Sequence, residues 1–291
     1  MGELINHIMM KQLGCLMAVL ALFAFYACSD DDDSQIPKEL RTLSLKVCPK
    51  LWWQSDASIG ILLPDSEIST ENQLNSEYGV ERKKDTLFLK PMDVSNAVLL
   101  PTDGSSLNII SYQPYSDQLN KETLSLSIDL QEQDKWYADG FRASKSISIS
   151  APVDTAVFVD LEERLATLDI AVRKFNGDDS TPIKLTKDNI YISNVALSGT
   201  YSFLNGGFEN LTVSDKYPFS IFDESGTAKG IFIPTDNALT IIYIDENGKE
   251  FEFPIINMAG NPVELRLQAG ARWVISLIIT ENTLKATAIA N

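Results

Sequence analysis

One cysteine in this sequence lies where a lipid could be attached covalently. A positive residue, Lys11, precedes an apolar run over residues 13–26. Cys28 follows this run and is itself followed by Ser29 and four aspartates at 30–33. A charge followed by a hydrophobic run is the order of an export signal, and this run is too short for a confident membrane-spanning helix. The pattern predicts a lipoprotein signal peptide over residues 1–27 and a mature chain that begins at lipidated Cys28.

The surroundings of this cysteine refine the prediction. Glu3 is acidic and fits an export signal badly, so we expect translation to start at Met9 or Met10. Residues 28–40 are predicted to form an acidic tether, because like charges repel and keep a chain extended. Because one acyl chain anchors a protein only marginally, we expect Cys28 to carry several, such as palmitate. The alternative for the apolar run is a buried core helix.

Composition argues against most catalytic chemistry. The only histidine, His7, lies in the predicted signal, which removes Ser-His-Asp and Cys-His catalysis and His-ligated metals from the mature protein. Cys48 would be the only unmodified cysteine and forms no intrachain disulfide. The carboxylate doublets at 162–163 and 178–179 are poor glycosidase pairs, since neighbours on a strand face opposite sides. We expect no catalytic residue, no metal and no cofactor.

The charge of the chain disfavours one class of partner. The formal net charge is −16, with 40 acidic residues against 24 lysines and arginines. Phosphate binding depends on clustered lysine and arginine, so we expect no nucleic-acid partner.

Alternation of apolar and polar residues dominates the mature sequence and predicts an all-β fold. Typical runs are 43–47, 124–130, 147–149, 190–192 and 239–243. Asn247-Gly248 predicts a hairpin between the runs 239–244 and 251–255, and Ala269-Gly270 predicts another between 263–267 and 273–279. The mature sequence has no long amphipathic helical pattern, and short helical turns are expected near 117–121 or 160–164. One series of strands ends at 151–152 and another begins at 168–172, which predicts a boundary near 154–163, with one β-sandwich over residues 41–158 and a second over 159–291.

Several stretches, in order, resemble the fimbrillin-like (Mfa-like) lipoproteins of Bacteroidetes type V pili. They are residues 53–60 (WQSDASIG), 112–116 (YQPYS), 128–138 (IDLQEQDKWYA) and 161–168 (LEERLATL), where Glu163 replaces a histidine that is usual in the family. The resemblance covers most of the mature chain. It implies two tandem transthyretin-like β-sandwich domains and a place on the cell surface, anchored in the outer membrane by the lipid on Cys28, as part of a fimbrium that supports cell adhesion.

The resemblance also implies assembly by strand exchange. In polymerising members, an arginine-specific protease cuts after the first strand, which leaves and is replaced by a strand from the next subunit. Here Arg41 precedes the first strand. The loop after the strand contains Lys50 but no arginine, and a cut at Arg82 would detach a larger piece of the chain. An anchor or accessory subunit, bound to other fimbrial subunits by strand addition, is therefore expected rather than a processed stalk subunit. The C-terminal strands at 273–279 and 284–289 either donate to a partner or close the second sandwich.

A glycan-binding surface lipoprotein is the alternative function, with a host or bacterial surface ligand. It depends on four aromatic residues that could stack on sugars, namely Trp52, Trp53, Trp136 and Tyr137. The competing interpretation is that these rings pack in the core, which is the usual place of tryptophan. Buried rings would favour the structural role, and a flat solvent-facing pair would favour the lectin role.

Overall fold

The computed structural model of the protein describes residues 40–47, 58–64, 74–84, 86–101, 105–150, 156–176, 179–253, 255–256, 264–280 and 284–290. The strands up to residue 163 are β1 (Leu40–Thr42), β2 (Leu45–Val47), β3 (Ser58–Leu62), β4 (Asn75–Lys83), β5 (Thr86–Pro91), β6 (Leu99–Pro101), β7 (Ser106–Gln113), β8 (Ser125–Asp129), β9 (Arg142–Ala143), β10 (Ile147–Ser150), β11 (Val157–Val159) and β12 (Glu162–Glu163).

The later strands are β13 (Ala166–Asn176), β14 (Asp179–Ile183), β15 (Ile190–Ser193), β16 (Val195–Ser202), β17 (Gly207–Ser214), β18 (Tyr217–Pro218), β19 (Ile221–Phe222), β20 (Ala228–Phe232), β21 (Thr240–Ile244), β22 (Glu250–Phe253), β23 (Ile255–Ile256), β24 (Arg272–Ile279) and β25 (Leu284–Ala290). The helices of the described ranges are α1 (Gln133–Asp139) and a 3-10 turn, η1 (Val94–Asn96). Neither is long and apolar enough to cross a membrane. The all-β prediction is confirmed.

The alternating residues form strands because one face of each is buried. In β8, Leu126 and Ile128 are buried while Ser127 and Asp129 are exposed. This period of two is the geometry of a pleated strand with one face on a core.

The strands form several sheets. The largest has the order β11-β2-β5-β4-β3-β7-β9-β12, with β10 also paired to β7. A second has the order β19-β20-β13-β24-β25-β23, with β14 paired to β13. Smaller sheets have the orders β18-β15-β21-β22 and β17-β16-β8. The last of these joins the two halves of the sequence, because Ser127 of β8 pairs with Thr200 of β16.

The apolar side chains form three clusters. The first core draws on residues between 43 and 161, and the second on residues between 166 and 277. The third core contains residues from both ranges, including Tyr112 and Tyr201. The predicted boundary between residues 158 and 159 stays a prediction, and strand pairing and packing both cross it.

Helix α1 lies outside the two places where helical turns were expected. Residues 162–163 are in a strand instead, because they pair with β9. Gln133, buried at the start of α1, explains the position of the helix. Its Nε2 donates to the carbonyl of Ile231 at 2.7 Å, and its Oε1 accepts the N–H of Ile231 at 2.7 Å. The side chain thereby replaces a neighbouring strand at β20 and satisfies buried backbone groups.

Of the two predicted hairpins, one is confirmed. Strands β21 and β22 pair across the turn at 245–249, where Gly248 has a φ of 77°, a conformation that glycine adopts readily. The other is wrong. Leu265 and Leu267 accept hydrogen bonds from Leu239 and Thr235, while β24 pairs in parallel with β13 and antiparallel with β25. The alternating pattern identified the strand but could not identify its partner.

Candidate strand-exchange site

The first strand with described side chains, β2, lies between two neighbours. Leu45 pairs with Leu89 of β5 in an antiparallel ladder and with Val157 of β11 in a parallel ladder. The N–H of Val157 also donates to the carbonyl of Ser44 at 3.0 Å. Both edges of β2 are therefore used within the chain.

The inner face of this strand is anchored in the first core. Leu45 and Val47 of β2 are each 1% exposed, and Leu43, two residues before the strand, is 6% exposed. Burying a side chain of this size contributes about 1.5–3 kcal/mol, so the three together contribute roughly 5–9 kcal/mol to holding the strand. A strand from a partner would need similar side chains at the same spacing to replace it.

The outer face carries a row of three residues across three strands. Lys46 pairs with Phe88 of β5 on one side and with Phe158 of β11 on the other. The Nζ of Lys46 lies 5.1 Å from the centroid of the Phe88 ring and 5.6 Å from that of Phe158. A lysine over two aromatic faces gains cation–π attraction from both. No pattern in the sequence predicts this row, because its members are distant along the chain.

The predicted modification and processing residues are placed as follows. Cys28 and Lys50 lie outside the described residues. Arg41 is in β1, ahead of β2. Arg82 is exposed near the end of β4, where it pairs with Leu87 of β5. A cut at Arg41 would leave β2 in the sheet, whereas a cut at Arg82 would separate two paired strands.

The C-terminal strands occupy the interior of the second sheet. Strand β24 pairs with β13 along eight residues, from Arg272 to Ile279, and with β25 along seven, from Trp273 to Ile279. Strand β25 uses its other edge in a short parallel pairing of Ala286 and Thr287 with β23. This arrangement fits strands that close the sheet.

The aromatic residues proposed for sugar stacking are only partly described. Trp52 and Trp53 lie outside the described residues, while Trp136 and Tyr137 are half-buried against the third core. The hydroxyl of Tyr137 donates to Oδ1 of Asp169 at 3.0 Å. Burial and the neighbouring carboxylate raise the pKa of Tyr137 to about 12. These two rings favour the structural interpretation over the lectin one.

The adjacent carboxylates of β12 are both paired with arginines. Glu162 lies 3.2 Å from Nη2 of Arg164, and Glu163 lies 3.0 Å from Nε of Arg142. Burial raises the pKa of Glu163, although Arg142 and backbone N–H groups, including that of Phe141 at 3.1 Å, act in the opposite direction. This arrangement ties β12 to β9. In the other doublet, Asp179 is exposed in β14 and Asp178 lies outside the described residues.

Comparison with known proteins gives one family and one fold. A family profile described as fimbrillin-like matches residues 47–290. No curated protein matches the sequence.

Solved structures with the same fold share little sequence with this chain. A candidate cell adhesion protein from Bacteroides uniformis is 16% identical with a TM-score of 0.66, over 86% of this chain and 98% of that one. A second such protein, from Bacteroides ovatus, is 15% identical with a TM-score of 0.57, and the match covers 86% of this chain and 96% of that one. The C-terminally truncated tip fimbrial protein Mfa3 of Porphyromonas gingivalis is 11% identical with a TM-score of 0.53, over 86% and 99%.

Proposed function

The chain belongs to the fimbrillin-like family, and from this premise we propose that it is an anchor or accessory subunit of a fimbrium. It is held at the outer membrane by lipid on Cys28, faces the cell exterior and supports adhesion. Its partners are other fimbrial subunits, which it contacts by β-strand addition. The role is structural, with no catalytic step.

The observation that carries the anchor or accessory role is the fixation of β2. A stalk subunit must release its first strand to open a groove for the next subunit. Here the strand is paired on both edges, its residues Leu45 and Val47 are buried, and so is Leu43 just before it. No arginine lies between Arg41 and Arg82, so an arginine-specific protease has no site that would release this strand alone.

The tether stays attached to the retained first strand as long as the chain is not cut at Arg41. If residues 28–40 stay attached to β2, the lipid on Cys28 stays attached to the folded protein. Such a subunit would remain at the membrane while others polymerise outward. The sheet edge that this subunit offers to other subunits is then different from the position that β2 occupies.

Intact-mass spectrometry with N-terminal mapping of the protein from native outer membranes tests this proposal. We expect an acylated Cys28 with residues 43–47 still attached. A Cys28→Ser variant is the matched control and should lose both the acyl mass and the membrane fraction. An N-terminus after Lys50 or further downstream, without lipid, would show instead a processed polymerising subunit.

A further inference from the structure

A cavity of about 420 Å³ opens beside the third core. Lys145 and Ser146, which follow β9, form one wall, and the turn between β16 and β17 forms the facing wall. Arg164 and Phe203 also line it. Its volume lies in the range of about 300–1,000 Å³ that is usual for small-molecule sites.

Backbone and side-chain hydrogen bonds fix both walls. The Oγ of Ser144 accepts the N–H of Ser111 at 2.9 Å and donates to the carbonyl of Lys145 at 2.9 Å. On the facing wall, the N–H of Gly206 donates to the carbonyl of Ser202 at 2.9 Å. The cavity is therefore preformed, which lowers the entropic cost of binding a ligand.

The apolar part of the cavity is a packed aromatic surface. Phe203 is 5% exposed, and its ring centroid lies 4.9 Å from that of Tyr112 and 5.2 Å from that of Tyr201. Leu204, next in the chain, is 63% exposed and also lines the cavity. Such a surface can pack against the carbon–hydrogen face of a small ring.

The charged part of the cavity is positive in a strongly acidic protein. Arg164 is fixed, since its Nη2 lies 2.9 Å from the carbonyl of Ala143 and 3.2 Å from Glu162. Lys145 is exposed and, within the described ranges, forms no ion pair. Because no carboxylate of the described ranges pairs with Lys145, a ligand carboxylate can form a charge-assisted hydrogen bond with its ammonium group, and bonds of this kind are among the stronger ones.

We propose that this cavity binds a saccharide unit that carries a carboxylate. Lys145 contacts the carboxylate, the hydroxyl of Ser146 bonds a sugar hydroxyl, and Phe203 with Leu204 contacts the ring. This binding site goes beyond the fimbrial role and does not depend on it.

The test compares two sugars that differ at one carbon. Glucuronic acid and glucose are titrated into the lipoprotein purified in detergent, by calorimetry and by saturation-transfer NMR. Glucuronic acid is expected to bind at least tenfold more tightly than glucose. Equal affinities, or no saturation transfer to either sugar, would overturn the proposal.

Variants of Lys145 then test whether the sugar binds in this cavity. Lys145→Ala should lower the affinity for glucuronic acid at least tenfold and leave that for glucose unchanged, while Lys145→Arg should restore most of it. Lys187→Ala removes an exposed lysine from a turn outside the cavity and should change neither. Unchanged binding to the Lys145→Ala protein, with an unchanged melting temperature, would contradict the assignment.

Discussion

The ammonium group of Lys46 lies 5.1 Å from the centroid of the Phe88 ring, on the face of the sheet opposite to the buried Leu45 and Val47. The same ammonium lies 5.6 Å from the ring of Phe158. Strand β2 is thus held on both faces as well as on both edges, and its retention can be tested one face at a time.

The inner face should account for most of the stability of β2. Leu45→Ala removes a side chain that is 1% exposed and should lower the free energy of unfolding by about 2–5 kcal/mol, measured by denaturant titration. Ser44→Ala, at the exposed neighbouring position, is the matched control. Equal effects of the two substitutions would mean that β2 is not anchored by its core face.

The row of Lys46, Phe88 and Phe158 on the outer face should contribute less to stability than the inner face of β2. Lys46→Ala abolishes both cation–π contacts and should cost about 1 kcal/mol in the same titration. Lys90→Ala, at an exposed position of β5, should cost close to nothing. A Lys46→Ala protein as stable as the Lys90→Ala protein would show that the row does not hold the strand.

Digestion with an arginine-specific protease should remove the tether and leave the first strand in place. Cleavage after Arg41 gives a folded product that begins at Thr42 and still contains β2, as read by N-terminal sequencing. Arg41→Lys should prevent this cut. A first product that begins after Arg82 would instead mean that the β4–β5 hairpin opens more readily than the segment before β2.

The contribution of Glu163 to the free energy of unfolding should decrease as pH rises through the acidic range. Burial raises the pKa of Glu163 in the folded state above the ordinary value of 4.5. At a pH between 4.5 and this folded-state pKa, the folded protein therefore keeps a proton on Glu163 that the unfolded protein has lost. The contribution of Glu163 to stability therefore falls as pH rises through this window and is constant below it.

The comparison with Glu163→Gln isolates this effect, because other carboxylates cancel in the difference. The free energy of unfolding of the wild type minus that of the variant should decrease as pH rises from 4.5 through the folded-state pKa. A difference that increases with pH would mean that Arg142, 3.0 Å away, outweighs the burial of the carboxylate.

Tyr137 should make the protein sensitive to alkaline pH. Its pKa is raised from 10.0 to about 12, so between these values the unfolded state loses a proton that the folded state keeps, and stability falls as pH rises. Tyr137→Phe should remove this contribution and, at neutral pH, cost about 0.5–1.5 kcal/mol for the lost hydrogen bond to Asp169. An unchanged alkaline profile in thermal melts would contradict the raised pKa.

Sequence periodicity located many strands but few of their partners. Of the expected first strand, 43–47, residues 45–47 form β2, and the alternate residues 43, 45 and 47 are buried. Its pairing with Val157 could not be predicted, because a period of two fixes which face is buried and not which strand lies alongside. The predicted hairpin at 263–279 was wrong for the same reason.

The cavity lay beyond sequence reasoning as well. Lys145, Arg164 and Phe203 come from three separate parts of the chain. Arg164 lies in the family-like stretch 161–168, but that resemblance does not indicate a cavity. A site of this kind exists only once the loops around the third core have been brought together.

The sequence alone determined the strand character of the chain, the absence of histidine from residues 8–291 and the prediction of a lipidated Cys28, because these follow from residue type and local order. Tertiary structure alone decided that β8 joins β16, that both edges of β2 are filled and that Glu163 meets Arg142. Those contacts join residues far apart in the chain, and their formation depends on long-range packing that no local pattern records.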